Sequence, residues 1–168
     1  MQITQKLTDK NFTSGRSNNP IKYIILHTMA GYINNLASWF SDSKASVSAH
    51  YGIGMSGIIE QYVLDGNTAW QAGNWIVNQT SIGIEHEDLA KPDDASRTLA
   101  LYNSSAWLVA KLCRQYNIPC KLVNSDANFM PLESGILKHK QVAIHGTSCP
   151  DGLNCELIVS MASKLLQE

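Results

Sequence analysis

Imidazoles and a thiol that could share one metal ion stand far apart in this chain. His27 lies near the start, while His139, His145 and Cys149 crowd the segment KHKQVAIHGTSCPDGL, residues 138–153. A carboxylate that could move a proton, Glu85, lies between them in SIGIEHE, residues 81–87. Hydrolysis on zinc uses these residue types. Three protein donors hold the ion and a fourth position stays open for water. Imidazole nitrogen and thiolate sulfur are suitable donors, and the ion lowers the pKa of its water to about 7 and polarises a carbonyl oxygen. A carboxylate within hydrogen-bond reach then takes the water's proton. With 5 histidines in 168 residues some such set arises by chance, so residue types alone only nominate the site.

The nomination has force only if the fold brings residue 27 beside residues 139–149. IKYIILH, residues 21–27, is a continuous apolar run and reads as a central strand buried on both faces, with His27 where strand meets loop. SAHYGIG (48–54) and IIEQYV (58–63) flank Met55, Ser56 and Gly57 and read as a hairpin with glycine in its turn. SIGIEHE alternates and reads as a further strand, with Glu85 and Glu87 on one face. Residues 136–139 read as a short strand. INNLASWFS (33–41) reads as a short helix with Leu36, Trp39 and Phe40 inward. Over 95–117, Leu99, Tyr102, Ala106, Val109, Cys113 and Tyr116 recur at helical spacing, and Pro119 stops the helix. A last helix starts at Asn154, a good N-cap, and buries Leu157, Met161 and Leu165. Residues 1–19 read as an irregular leader ahead of Pro20, and 65–80 as a long loop carrying Trp70 and Trp75. Together these elements predict an α/β fold of three layers, a central mixed sheet flanked by helices, in a single domain over residues 1–168.

Composition narrows the function. The formal net charge of −1 gives no strongly basic surface, so neither nucleic acid nor membrane is expected as a partner, and a monomer is expected. No apolar run of about 18 residues is present to span a bilayer. The polar N-terminus lacks the apolar core of a signal peptide, which predicts synthesis in the cytosol or a chain shown without its export signal. The 4 cysteines form no CxxC pair, so a disulfide-stapled fold is not expected, and Cys113 reads as a small buried apolar residue.

Five segments in order carry a resemblance. NPIKYIILHTMAG, VSAHYGIGMSGIIEQYV, TAWQAGN, SIGIEHE and HKQVAIHGTSCPDGL together span about residues 19–155. They resemble the zinc-dependent N-acetylmuramoyl-L-alanine amidases, the family of phage endolysins, cell-wall recycling amidases and peptidoglycan recognition proteins. Each piece is weak alone, and the five in sequence are specific. The resemblance implies a zinc hydrolase that cuts the amide between N-acetylmuramic acid and L-alanine in peptidoglycan, and it implies that family's fold.

Carried over residue by residue, the resemblance makes His27 the first zinc ligand and Cys149 the third. It favours His139, ten residues before Cys149, as the second ligand over His145, four residues before it. His145 stays open as the alternative and would otherwise be a rim residue touching substrate. Glu85 matches the general base, with Glu87 as runner-up. Thr147 matches a position that helps hold the carbonyl oxygen as charge develops. His50 recurs in the family but is expected to hydrogen-bond or pack rather than bind metal. Trp70 and Trp75 line the groove or fill core. The family often has histidine where this chain has Gln71, so no catalytic use of position 71 is carried over. Acting on the cell wall without a visible export signal accords with a phage or prophage endolysin. Two other readings remain. A non-catalytic peptidoglycan-binding module is disfavoured because Cys149 is present, and a zinc hydrolase of this fold acting on another amide would be separated by substrate profiling.

Overall fold

A computed structural model of the chain describes residues 1–88 and 97–168. The elements run β1 (Ile3–Gln5), β2 (Phe12–Thr13), β3 (Tyr23–Thr28), α1 (Leu36–Ser41), β4 (Tyr51–Ile53), β5 (Ile59–Gln61), β6 (Thr68–Ala69), α2 (Trp75–Thr80), β7 (Ser81–His86), α3 (Leu99–Tyr116), β8 (Gly135–Lys138) and α4 (Cys155–Gln167). Single 3-10 turns precede α1 (Ile33–Asn35) and follow β8 (His139–Gln141).

β3 is the apolar run read from the sequence, and it is central. The main sheet has the order β1-β5-β4-β7-β3-β8 and is mixed. β3 pairs in parallel with β7 and β8, β4 pairs in parallel with β7, and β4 and β5 form the antiparallel hairpin. The pleat sends alternate side chains to opposite faces. Ile24, Leu26, Ile82, Ile84 and Ile136 pack in a cluster with Leu101, Leu108 and Leu112 of α3 and Ile158 of α4. Ile25 and Leu137 pack on the other side with Ala72, Val77 and Val142. A sheet buried on both faces lies between two layers, which is the three-layer α/β arrangement expected.

The helix ends follow their caps. Thr98 accepts from the Leu101 amide at 3.1 Å and opens α3. Asn117 takes a left-handed φ of 54° and closes it just before Pro119. Asn154 accepts from Leu157 at 2.9 Å and opens α4. The expected helix over 95–117 thus begins at Leu99, and its residues 95 and 96 lie outside the described residues. No helix among the described residues is long and apolar enough to cross a membrane.

Several expectations need correction. The leader over 1–19 is not irregular throughout. β1 extends the main sheet beside β5, and β2 pairs with β6. The segment 65–80 is not one long loop, since it holds β6 and α2. Trp39 and Leu99 do not face the core, being 54% and 68% exposed. α4 buries Cys155, Ile158 and Ala162, with Met161 and Leu165 half-buried against the same core, whereas Leu157 is exposed. β8 ends at Lys138, so His139 belongs to the turn after it.

Two buried polar residues tie the layers. Glu87 lies just past β7 and accepts from the amides of Ile33 at 3.3 Å and Met55 at 2.7 Å. It joins the turn before α1 to the β4–β5 hairpin. His50 is fully buried, with Nδ1 accepting from the Gly83 amide at 3.1 Å and Nε2 close to Arg16 and the Asn67 carbonyl. Burial, reinforced by the Arg16 charge, pushes its pKa from 6.5 down to about 3.

Two outcomes are expected. Glu87→Ala strands two amides and should lower stability by about 2 kcal/mol, measured by denaturant unfolding; an unchanged midpoint would show that the clamp contributes nothing. Because His50 has a folded pKa below its unfolded value, the unfolded chain binds the extra proton between about pH 6.5 and 3. Stability should therefore fall with pH through that window, by up to about 1.4 kcal/mol per unit from this group. Urea unfolding at pH 7, 6 and 5 checks this, and His50→Asn, which keeps an acceptor for Gly83, should flatten the slope by about one proton.

Candidate metal centre

β7, β3 and β8 run parallel side by side, so their C-terminal ends open on one edge of the sheet. Ligand sites of open α/β sheets form at such edges. His27 is the penultimate residue of β3 and stands opposite Glu85 of β7 in the register. His139 follows immediately after β8. The rings of His27 and His139 lie 4.3 Å apart, centroid to centroid. Cys149 arrives on the loop after the 3-10 turn, held by Lys140, whose amide donates to the Cys149 carbonyl at 2.8 Å. Arg97 holds the far side of that loop, donating to the carbonyls of Gly152 at 2.6 Å and Asp151 at 3.2 Å.

One donor atom each from His27, His139 and Cys149 all lie within 4.8 Å of one another. One small cation can contact three donors so spaced. The Thr28 amide points at the Cys149 sulfur at 3.2 Å. Burial and the nearby Glu85 push the Cys149 thiol up to about 12, with the Thr28 amide acting the other way. Burial, then the neighbouring His139, holds His27 well below the usual imidazole range. Burial also lowers His139, with the Ala72 backbone acting the other way.

Glu85 is placed to act on a bound water. Its Oε1 is 3.8 Å from His27 Nδ1, and its Oε2 is buried without a hydrogen-bond partner among the described residues. Burial, with Asp88 adding, raises its pKa to about 8. Glu87 does not share this role in geometry, since its carboxylate is held by two backbone amides. His145 is exposed and lies outside the donor cluster. Thr147 is exposed too; its hydroxyl oxygen accepts from the Cys149 amide at 3.1 Å, which leaves the hydroxyl hydrogen free to donate. A groove beside the cluster is walled by Val47, Trp70, Trp75, Ala143 and His145, so both tryptophans line it and neither fills core. Thr147 and His139 line this groove as well as the adjoining hollow that holds His27, Glu85 and Cys149.

The structure adds residues that spacing did not reveal. His86 Nδ1 lies 2.7 Å from the His27 carbonyl and its Nε2 2.7 Å from Ser105 Oγ, so it fastens the ligand's backbone to α3. Its side chain points to the α3 face, which the alternation of SIGIEHE does signal. Gln71 places Oε1 2.5 Å from His27 Nε2. Asn78 accepts from the amides of Gln71 at 3.2 Å and Ala72 at 2.7 Å and fixes that turn. Nothing in residue type or spacing announces either contact.

Comparison with known proteins bears on family and fold. The family model described as N-acetylmuramoyl-L-alanine amidase matches residues 17–152. N-acetylmuramoyl-L-alanine amidase A of Achromobacter lyticus is 38% identical over 105 residues, 62% of this chain and 58% of that protein, so the match spans less than two thirds of the relative. A mutant endolysin from Bacillus subtilis superposes with a TM-score of 0.70 at 20% identity, covering 96% of this chain and 99% of that one. The Staphylococcus aureus hydrolase AmiA does so with a TM-score of 0.70 at 17% identity, covering 99% and 84%. Those two likenesses establish a shared fold, and the family match over most of the chain adds kinship: this chain belongs to the N-acetylmuramoyl-L-alanine amidase family.

Proposed function

We propose that this chain is a zinc-dependent N-acetylmuramoyl-L-alanine amidase that hydrolyses the amide between N-acetylmuramic acid and L-alanine in peptidoglycan. The observation that carries the reading is the meeting of His27, His139 and Cys149 within 4.8 Å beside the half-buried Glu85 carboxylate, one oxygen of which is buried and unpartnered among the described residues. Two imidazoles and a thiolate suit zinc with an open fourth position. Family membership supports the substrate, and the fold likeness to an endolysin supports a lytic role on the cell wall.

When bound by these three residues, zinc supplies a Lewis acid and a water of lowered pKa. Glu85 would accept the proton of the attacking water and deliver it to the departing alanine nitrogen. Burial, with Asp88 adding, raises the Glu85 carboxyl from the usual carboxylate range in the metal-free site, towards the range that suits a general base. The Thr147 hydroxyl donates to the carbonyl oxygen as negative charge grows there. The groove past Trp70 and Trp75 holds the flanking sugar and peptide.

Metal analysis of the purified protein, together with digestion of purified cell walls, tests the whole reading. One zinc per chain and release of L-alanine amino ends are expected. A protein that carries no zinc and leaves walls intact would sink it. His139→Ala and Cys149→Ser should each lose most zinc and most activity, whereas His145→Ala should keep the metal; the opposite pattern would move the ligand to His145. Glu85→Gln should keep zinc and fold while turnover drops by about 10²-fold or more. Turnover near that of the parent would transfer the base role elsewhere.

A further inference from the structure

We infer that Gln71 is a positioning residue that locks His27 in a single tautomer, protonated on Nε2, so that Nδ1 keeps its lone pair for the metal. The inference rests on the metal reading above for its consequence, but its structural content stands on a chain of hydrogen bonds whose directions are forced.

The chain starts at an atom that can only accept. Ser81 Oγ lies 2.6 Å from the Val77 carbonyl, so the single hydroxyl hydrogen of Ser81 goes there. Ser81 Oγ lies 2.7 Å from Gln71 Nε2 and must therefore accept from that amide. The orientation of the Gln71 amide follows, with Oε1 at the other end, 2.5 Å from His27 Nε2. A carbonyl oxygen cannot donate, so His27 Nε2 carries the hydrogen and donates. An imidazole that ligates a metal is neutral and has one N–H, which the Gln71 contact places on Nε2. Nδ1 is the nitrogen left with a lone pair, and it is the one that faces Glu85 at 3.8 Å.

Two further features show that Gln71 is held in this pose. A Cβ added at Gly83 would lie 2.7 Å from both Cδ and Oε1 of Gln71, so the side chain fills the slot that glycine leaves on β7. Asn78 grips the backbone of Gln71 and Ala72 and so fixes the turn that carries the side chain. Partners of this kind fix ring orientation and tautomer, and losing one costs about 10- to 100-fold in metal affinity or activity.

The test measures zinc affinity by competition with a chromophoric chelator, beside the melting temperature of the zinc-free protein. Gln71→Leu removes acceptor and donor at similar volume. It should weaken zinc binding about 10- to 100-fold while the zinc-free protein stays folded. Gln71→Glu keeps an acceptor for Nε2–H and should bind zinc as tightly as the parent or more so. Leu and Glu variants that both match the parent would overturn the inference. Should the Leu variant not fold, a long-range ¹H–¹⁵N correlation spectrum of the zinc-free parent decides the matter. Protonation of His27 on Nε2 is expected, and protonation on Nδ1 would refute it. A parent that binds no zinc would sink the metal reading, and the tautomer spectrum would still judge Gln71 on its own.

Discussion

Everything at the site depends on the parallel register of β7, β3 and β8. Parallel pairing brings like ends of strands together, so residues 27, 85 and 139, remote in sequence, leave the sheet at one edge. The pleat then chooses the face. On β3 and β7, residues 24, 26, 82 and 84 point into the α3–α4 layer. Residues 27 and 85 take the opposite face, where the late loop can lay Cys149 against them. A slip of one residue would bury Glu85 under α3 and aim His86 at the groove. The hydrophobic pattern forbids that slip, because it would also move Ile82 and Ile84 out of the main core.

Burial in such a site drives each group towards its neutral form. Cys149 rises to about 12, Glu85 rises to about 8, and His27 falls. Desolvation is the first cause in all of these, and like charges nearby add to the carboxylate and thiol shifts. A divalent cation reverses that logic for its donors, since it stabilises thiolate and favours neutral imidazole. The same low-dielectric surroundings strengthen the Thr28 amide's contact with sulfur. Burial that opposes charge before metal binding therefore gives a cation a large role once bound.

How far the sequence was legible follows from element length and from face. IKYIILH, the hairpin, SIGIEHE and the helix after Thr98 are long or strongly patterned, and each formed where the pattern placed it. The same pattern carried His27 and Glu85 to strand ends. β1, β2 and β6 are two or three residues long and carry no periodicity of their own. They exist because a neighbour supplies hydrogen bonds, as β5 does for β1. α2, at six residues, is shorter than a helix that could persist alone, and tertiary packing of Val77 holds it. Trp39 misled because aromatic character suggests core, whereas its helix turns it towards the hollow beside the cluster. His139 was legible as a donor only through the resemblance, since residue spacing alone left His145 equally available.

Gln71 marks the limit most clearly. At that position the family pattern leads to histidine, and by pattern alone the glutamine looks like a loss. The fold gives it a use that no motif states. β6 and α2, the elements least visible in the sequence, hold the turn at Gln71 and Ala72 between them, and Asn78 on α2 fixes it. Gly83 on β7 gives the side chain room directly under the ligand. Ser81, at the start of that same strand, dictates which end of the amide faces His27. The marginal elements thus act on the metal ligands from behind, and a substitution there reaches the chemistry without touching substrate. Sequence patterning reveals donors because their chemistry restricts residue type; what orients a donor is any group with a lone pair in the right place, and only the fold can say which one that is.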